Sequence, residues 1–233
     1  MKSKFNFAIS LKLVSIDVEI RALQDGYELI SRTIGSLQDS EVSRLGDTLA
    51  LDTTLDQEDK ISLHDDVHYT IEVVYPRLFW GPFLISVYSV FESSLIELSE
   101  LLREELECEL KIDELNGDLL EKAKCYFSKI LKLRIKTESP CWEAITRLRT
   151  VRNCFAHSNG RVGYKLQDNN KVNQILKKNI GVTHQLDVLI VNQKFVKESL
   201  DAVVKFIKEW QAEYGAIWNR NRQSEHGCKP EGP

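Results

Sequence analysis

The stretch 84–106, LISVYSVFESSLIELSELLREEL, decides the fold class. Leu84, Tyr88, Phe91, Leu95, Leu98, Leu102 and Leu106 recur at steps of three and four, which places one apolar stripe along an α-helix. Pro82 sits near the start of this helix, where the missing N–H does no harm. Asn116-Gly117 then breaks the chain. Leu119, Ala123, Phe127, Ile130 and Leu131 define the next helix, whose outer face carries Lys122, Lys124, Lys129 and Lys132. Ser139-Pro140 reads as the N-cap and first position of a third, which runs through Ile145, Leu148, Val151 and Phe155 and stops at Asn159-Gly160. A polar loop, a short strand-like run from Leu186 to Val191 and a final helix bearing Val196, Val203, Phe206, Ile207 and Trp210 complete the pattern.

Upstream the pattern is less regular. Phe5, Phe7, Ile9, Leu11 and Leu13 alternate as in a strand, whereas residues 14–34 read as a helix. Residues 38–66 are polar and acidic, the composition of a loop or short-helix connection. The expectation is a mainly α protein: an up-and-down helical bundle with a small β-hairpin near the C-terminal helix. Residues 1–74 form an N-terminal extension of unassigned role, 75–215 the helical domain and 216–233 a disordered tail.

A chain of 233 residues is long enough to bury a core and does not require two domains. Lys12 and Asp17 interrupt the apolar start, no small-residue cleavage site follows, and no stretch approaches an uninterrupted bilayer-spanning length. A cytoplasmic location without a membrane is therefore expected. The five cysteines (108, 125, 141, 154 and 228) are odd in number, widely spaced and free of C-x-x-C, so neither a disulfide framework nor a zinc site is encoded. Cys141 and Cys154 should pack as small hydrophobes. The net charge of −4 hides an asymmetry: residues 38–75 hold ten Asp/Glu against two Lys/Arg, and residues 118–165 hold eleven Lys/Arg against four Asp/Glu. Such runs are ordinarily solvated faces, yet the basic one surrounds the motif described next.

On a helical wheel, Ala144, Ile145, Leu148, Val151 and Phe155 share the core sector of the 139–160 helix. Arg152 falls at the edge of that sector, and Ala156, Arg149, Asn153 and His157 follow outward. An arginine at a core edge needs a partner. Glu92, at the boundary of the 84–106 stripe, is the expected one. His157 lies in the last turn, where exposed carbonyls favour positive charge, and Asn153 four residues earlier is placed to orient its ring. A histidine that takes and gives protons, beside an arginine that stabilises a phosphorane, suffices to cleave RNA through the ribose 2′-hydroxyl without a metal. Arg149, Ser158, Lys129, Lys132 and Arg134 suit phosphate contacts, and Ser158 equally suits capping of the turn.

The segment 142–160, WEAITRLRTVRNCFAHSNG, resembles the signature of HEPN domains: an Arg, a polar residue often Asn, a few more residues and a His near the end of a late helix. The stretch 88–95, YSVFESSL, is similar to the helix that supplies an acidic residue near that site. The resemblance covers roughly residues 75–210; residues 1–70 resemble nothing named. It implies a HEPN-like bundle, metal-independent endoribonuclease activity without cofactors, RNA as substrate, and a homodimer whose two motifs share a cleft. It also implies a role in toxin–antitoxin or antiviral defence, with an antitoxin or regulatory partner. The residues implied are Arg152, Asn153, His157 and Glu92.

Other readings stand beside this one. HEPN-like bundles also act as non-catalytic dimerisation or nucleic-acid-binding modules. Arg152 with Glu92 is equally a structural ion pair, and His157 equally a helix C-terminal charge. Trp142 and Tyr88 suit base stacking but at helical spacing are more often core. His64 and His68, at i and i+4, have a metal-ligand spacing with no further ligand evident, so no metal is expected. The acidic N-terminal segment either covers the basic cleft or binds a partner.

Overall fold

The computed structural model describes residues 2–133, 139–162, 170–178 and 180–227. Arg134, one expected phosphate contact, and residues 228–233 of the expected tail lie outside the described residues. The chain is mainly helical: α1 (Lys2–Leu51), α2 (Gln57–Tyr69), α3 (Tyr75–Glu105), α4 (Leu119–Cys125), α5 (Pro140–Ser158), α6 (Asn170–Lys178), β1 (Val182–Gln185), β2 (Val188–Val191) and α7 (Gln193–Gly227). The expected hairpin is present. β1 and β2 pair antiparallel, Val182 opposite Val191 and Gln185 opposite Val188. Leu186, expected within the strand, instead makes the turn at φ 52°.

Several boundaries differ from the expectation. Residues 2–51 form one helix, with no strand at 5–13 and no loop from 38 to 51. Ile16, Ile20, Leu23, Tyr27 and Ile34 are buried at three-, four- and seven-residue steps, and this face outweighs the short alternation before it. Pro82 lies inside α3 rather than at its start. Leu78, four residues earlier, whose carbonyl loses its intrahelical partner, is 50% exposed. α7 continues to Gly227 past the point where a disordered tail was expected. Asn221 supports that extension by donating to the backbone and side-chain oxygens of Glu105, at 3.1 and 2.9 Å.

Among the described residues, two π turns interrupt the helices. The first, Thr70–Val74, joins α2 to α3, with the Tyr75 N–H reaching back to the Thr70 carbonyl. The second, Tyr126–Ile130, closes α4 and buries Leu131. Through the first turn, Gln57–Glu105 becomes one 49-residue helix, long and apolar enough by length and composition to cross a membrane, contrary to the expectation from uninterrupted apolar runs. Half of its most apolar stretch is buried within the protein.

The chain divides into two compact units that do not follow chain order. One comprises Met1–Arg21, Ser89–Thr146 and Asp201–Pro233. Its core is aromatic: Phe127 lies 4.3 Å from Trp210, and Phe206 is flanked by Phe91 at 5.6 Å and Trp142 at 5.8 Å, measured between ring centroids. The other comprises Ala22–Tyr88 and Arg147–Leu200. Here Tyr27 of α1 stacks on Trp80 of α3 at 5.5 Å, and the hairpin buries Val182, Val188, Leu189 and Val191.

Burial pushes two tyrosines of the first unit up to about 12. The Tyr126 hydroxyl donates to the Leu110 carbonyl at 2.7 Å, and Tyr214 is buried near the carboxylates of Glu105 and Glu104. In the unfolded chain both ionise near pH ~10. The raised folded values therefore contribute stability that is complete below pH ~10 and is lost as pH rises towards 12. Thermal unfolding followed by circular dichroism should show a midpoint that falls steeply above pH ~10. The fall should be shallower in Tyr126→Phe and Tyr214→Phe.

Candidate active site at the end of α5

α5 is built as its sequence specifies. The Ser139 side chain accepts the Trp142 N–H at 3.2 Å, and Pro140 takes the first helical position. Ile145, Leu148, Val151 and Phe155 are buried as expected, whereas Ala144 is half-buried. The helix stops where Asn159 (φ 51°) and Gly160 (φ 73°) turn left-handed. Their N–H groups close onto the carbonyls of Phe155 and Cys154 at 2.9 and 3.1 Å. The chain then pairs with β2: the Leu189 N–H donates to the Gly160 carbonyl and the Val162 N–H to the Asp187 carbonyl, both at 2.8 Å. The turn that carries His157 is thus anchored to the hairpin.

Phe155 fixes the same turn from inside. A Cβ on Gly81 of α3 would collide with its ring, and a Cβ on Gly160 would come within 2.8 Å of it. The ring fills the space left by two absent side chains, one on each neighbouring segment.

Arg152 is half-buried, as its place on the wheel required. Its guanidinium lies over the ring of Tyr88, 5.0 Å from the centroid, and Nη1 donates to Asn153 Oδ1 at 3.1 Å. Tyr88 is only 2% exposed, so it supports the arginine and offers no face to a base. Asn153 Oδ1 accepts from Arg152, and its part in orienting His157 stays an expectation. Asn153, His157 and Ser158 are exposed at the helix end, and Arg149 is half-buried. The Ser158 hydroxyl donates to the Cys154 carbonyl at 2.7 Å, the capping alternative, leaving its lone pairs outward.

Other expected residues fall in the first unit. Glu92 is half-buried there, and its pairing with Arg152 stays an expectation. Lys129 and Lys132 also belong to that unit and are exposed. Trp142 is half-buried and packs on Phe206. Burial pushes the Cys154 thiol up, and burial with Glu209 nearby does the same to Cys141, which donates to the Ala202 carbonyl at 3.0 Å. Neither thiol is a thiolate nucleophile at neutral pH. His64 and His68 stack at 4.3 Å, and among the described residues no cluster of three or more His, Cys, Asp or Glu is placed to hold a metal.

Chemically, the end of α5 presents a proton carrier in solvent and a cation whose direction is set by a ring and an amide. Five helical positions separate them, about 140° around the axis and about 7.5 Å along it. Sequence reasoning missed the supports: Tyr88 beneath the arginine, and Gly81 and Gly160 around Phe155. Gly160→Ala should cost on the order of 2 kcal/mol in chemical denaturation, combining a left-handed alanine with a crowded ring. Gly81→Ala should cost a similar amount through crowding alone. The paired changes Gly160→Ala and Phe155→Leu should cost less than the sum of the two singles.

Compared with family models, curated proteins and solved structures, the chain matches none of them.

Proposed function

We propose that the protein is a metal-independent endoribonuclease of the HEPN type, acting through the end of α5. The observation that carries this reading is the pairing on one helical turn and a half of a fixed guanidinium and an exposed imidazole. Arg152 is held over Tyr88 and by Asn153, and His157 is exposed in the last turn.

The reaction follows from these groups. His157, neutral, takes the proton of a ribose 2′-hydroxyl. The 2′-oxygen attacks the adjacent phosphorus, the bond to the 5′-oxygen breaks, and the leaving oxygen takes a proton from an imidazolium or water. The products are a 2′,3′-cyclic phosphate and a 5′-hydroxyl. Arg152 stabilises the charge that gathers on the phosphorane oxygens, and its attachment to Asn153 and Tyr88 removes much of the cost of orienting it. Arg149, Ser158, Lys129 and Lys132 supply phosphate contacts. Because Arg152 and His157 diverge around the helix, two copies of the motif facing each other make a complete site, with RNA between them. A toxin or antiviral-defence effector in the cytoplasm, restrained by a partner, is the role that fits such an enzyme. The competing reading is a non-catalytic dimerisation or nucleic-acid-binding module.

Incubation of the protein with mixed-sequence RNA in excess EDTA separates the two readings. Fragments ending in cyclic phosphate should form, and His157→Ala and Arg152→Ala should each reduce their rate by about 100-fold or more with the helical spectrum unchanged. Intact RNA in the wild-type sample, or equal cutting by wild type and variants, would reject the nuclease.

A further inference from the structure

The nine residues of α6 divide into two faces. Val172 and Ile175 are buried, Leu176 is half-buried, and the helix packs against β1. A helix this short does not persist in water without such burial. Asn170, Lys171, Gln174, Lys177 and Lys178 are all exposed, and at about 100° per residue they share one side of the helix. α6 contains three lysines and no acidic residue, and β1 beside it has no acidic residue either. Lys177 and Lys178 stand in the last turn, where the helix dipole favours a cation. Lys171 stands in the first turn, where the dipole opposes one and no carboxylate of that turn offsets it. Among the described residues neither Lys171 nor Lys177 has an ion-pair partner. The stability of the helix therefore does not account for Lys171, and a ligand of negative charge does.

The sequence around α6 carries the same sign. Residues 147–200, which belong to one unit, hold ten Lys/Arg against three Asp/Glu, and those three (Asp168, Asp187 and Glu198) lie outside α6 and β1. Backbone pairing joins α6 to the turn of His157. β1 pairs with β2, and β2 pairs with the chain at Gly160 and the exposed Arg161. Two strand spacings, about 10 Å, separate β1 from that chain, and β1 beyond Val182 is exposed. We propose that the lysine face of α6 is a docking surface for the phosphate backbone of the RNA whose cleavage is assigned to the end of α5. The proposal rests on that reading for its ligand. The lysines engage phosphates, and Asn170 and Gln174 engage sugar or base edges. The exposed face carries no apolar residue, so it has nothing to bury in a lipid surface. Each copy makes the contact by itself, which places no demand on how two copies pair.

An oligonucleotide that cannot be cut tests this directly. A fluorescently labelled 2′-O-methyl RNA of about twelve nucleotides, which lacks the attacking hydroxyl, should bind the full chain at about 50 mM salt in fluorescence anisotropy. A variant carrying Lys171→Ala, Lys177→Ala and Lys178→Ala should bind about tenfold more weakly, and the slope of log affinity against log salt should fall by about 2. A control carrying Lys111→Ala, Lys205→Ala and Lys208→Ala loses the same charge from exposed positions elsewhere and should stay within about twofold of wild type. Both should keep the wild-type helical spectrum. A wild type that does not bind would overturn the proposal, as would an α6 variant that binds like wild type or a control weakened as much as it. Lysine-dependent sedimentation with vesicles of equal parts phosphatidylcholine and phosphatidylserine, without binding to the oligonucleotide, would reassign the surface to a membrane. In the EDTA cleavage assay the α6 variant should raise KM about tenfold and leave kcat unchanged. Anisotropy reports binding without chemistry, so RNA left intact by wild type rejects the nuclease alone, and unchanged anisotropy in the α6 variant rejects the docking alone.

Discussion

The ring of Phe155 occupies space that exists only because residues 81 and 160 have no side chain. That one packing arrangement ties α3, the last turn of α5 and the start of the chain leading to β2 into a single relation. Gly160 serves it twice, by leaving room and by adopting the left-handed φ of 73° that ends the helix. Its carbonyl then accepts from Leu189, so the packing passes directly into backbone hydrogen bonding with the hairpin. His157 and Arg152 take their directions from this frame, and Arg152 is further set by Tyr88, seven residues along α3 from Gly81.

What was legible in the sequence is what a periodic pattern or a named turn residue can carry. The stripe from Leu84 to Leu102 is buried throughout, and Ser139, Pro140, Asn159 and Gly160 bound α5 where their side chains and backbone preferences placed them. The half-burial of Arg152 was readable from its angle on the wheel. The ring beneath Arg152 was not, because Tyr88 lies on α3 and its approach to α5 is encoded by no spacing within one segment.

The failures have equally specific causes. Residues 38–51 bury nothing, so they leave no apolar period to read, and caps and the bonds of Glu41 to Arg44 and the Tyr75 hydroxyl do the organising instead. In the first part of α1, Leu11, Val14 and Val18 are exposed while Ile16 and Ile20 are buried, so apolar residues stand on both faces and blur the helical signal. The extension of α7 rests on Asn221 reaching Glu105, more than a hundred positions away in sequence, and no local rule anticipates it.

The π turn at Thr70–Val74 has a developmental consequence for the protein as a lineage. A π turn carries one residue more than the α-helical turn it replaces, and one residue rotates everything beyond it by about 100°. The acidic α2 and the apolar α3 are therefore set out of phase along one continuous rod. Loss of a single codon in this turn would re-aim the whole of α2 while leaving Trp80, Phe83 and the residues beyond in register. The surface the segment presents can thus diverge between descendants of this chain faster than the core that supports it, by insertion and deletion and without any substitution at the presenting residues.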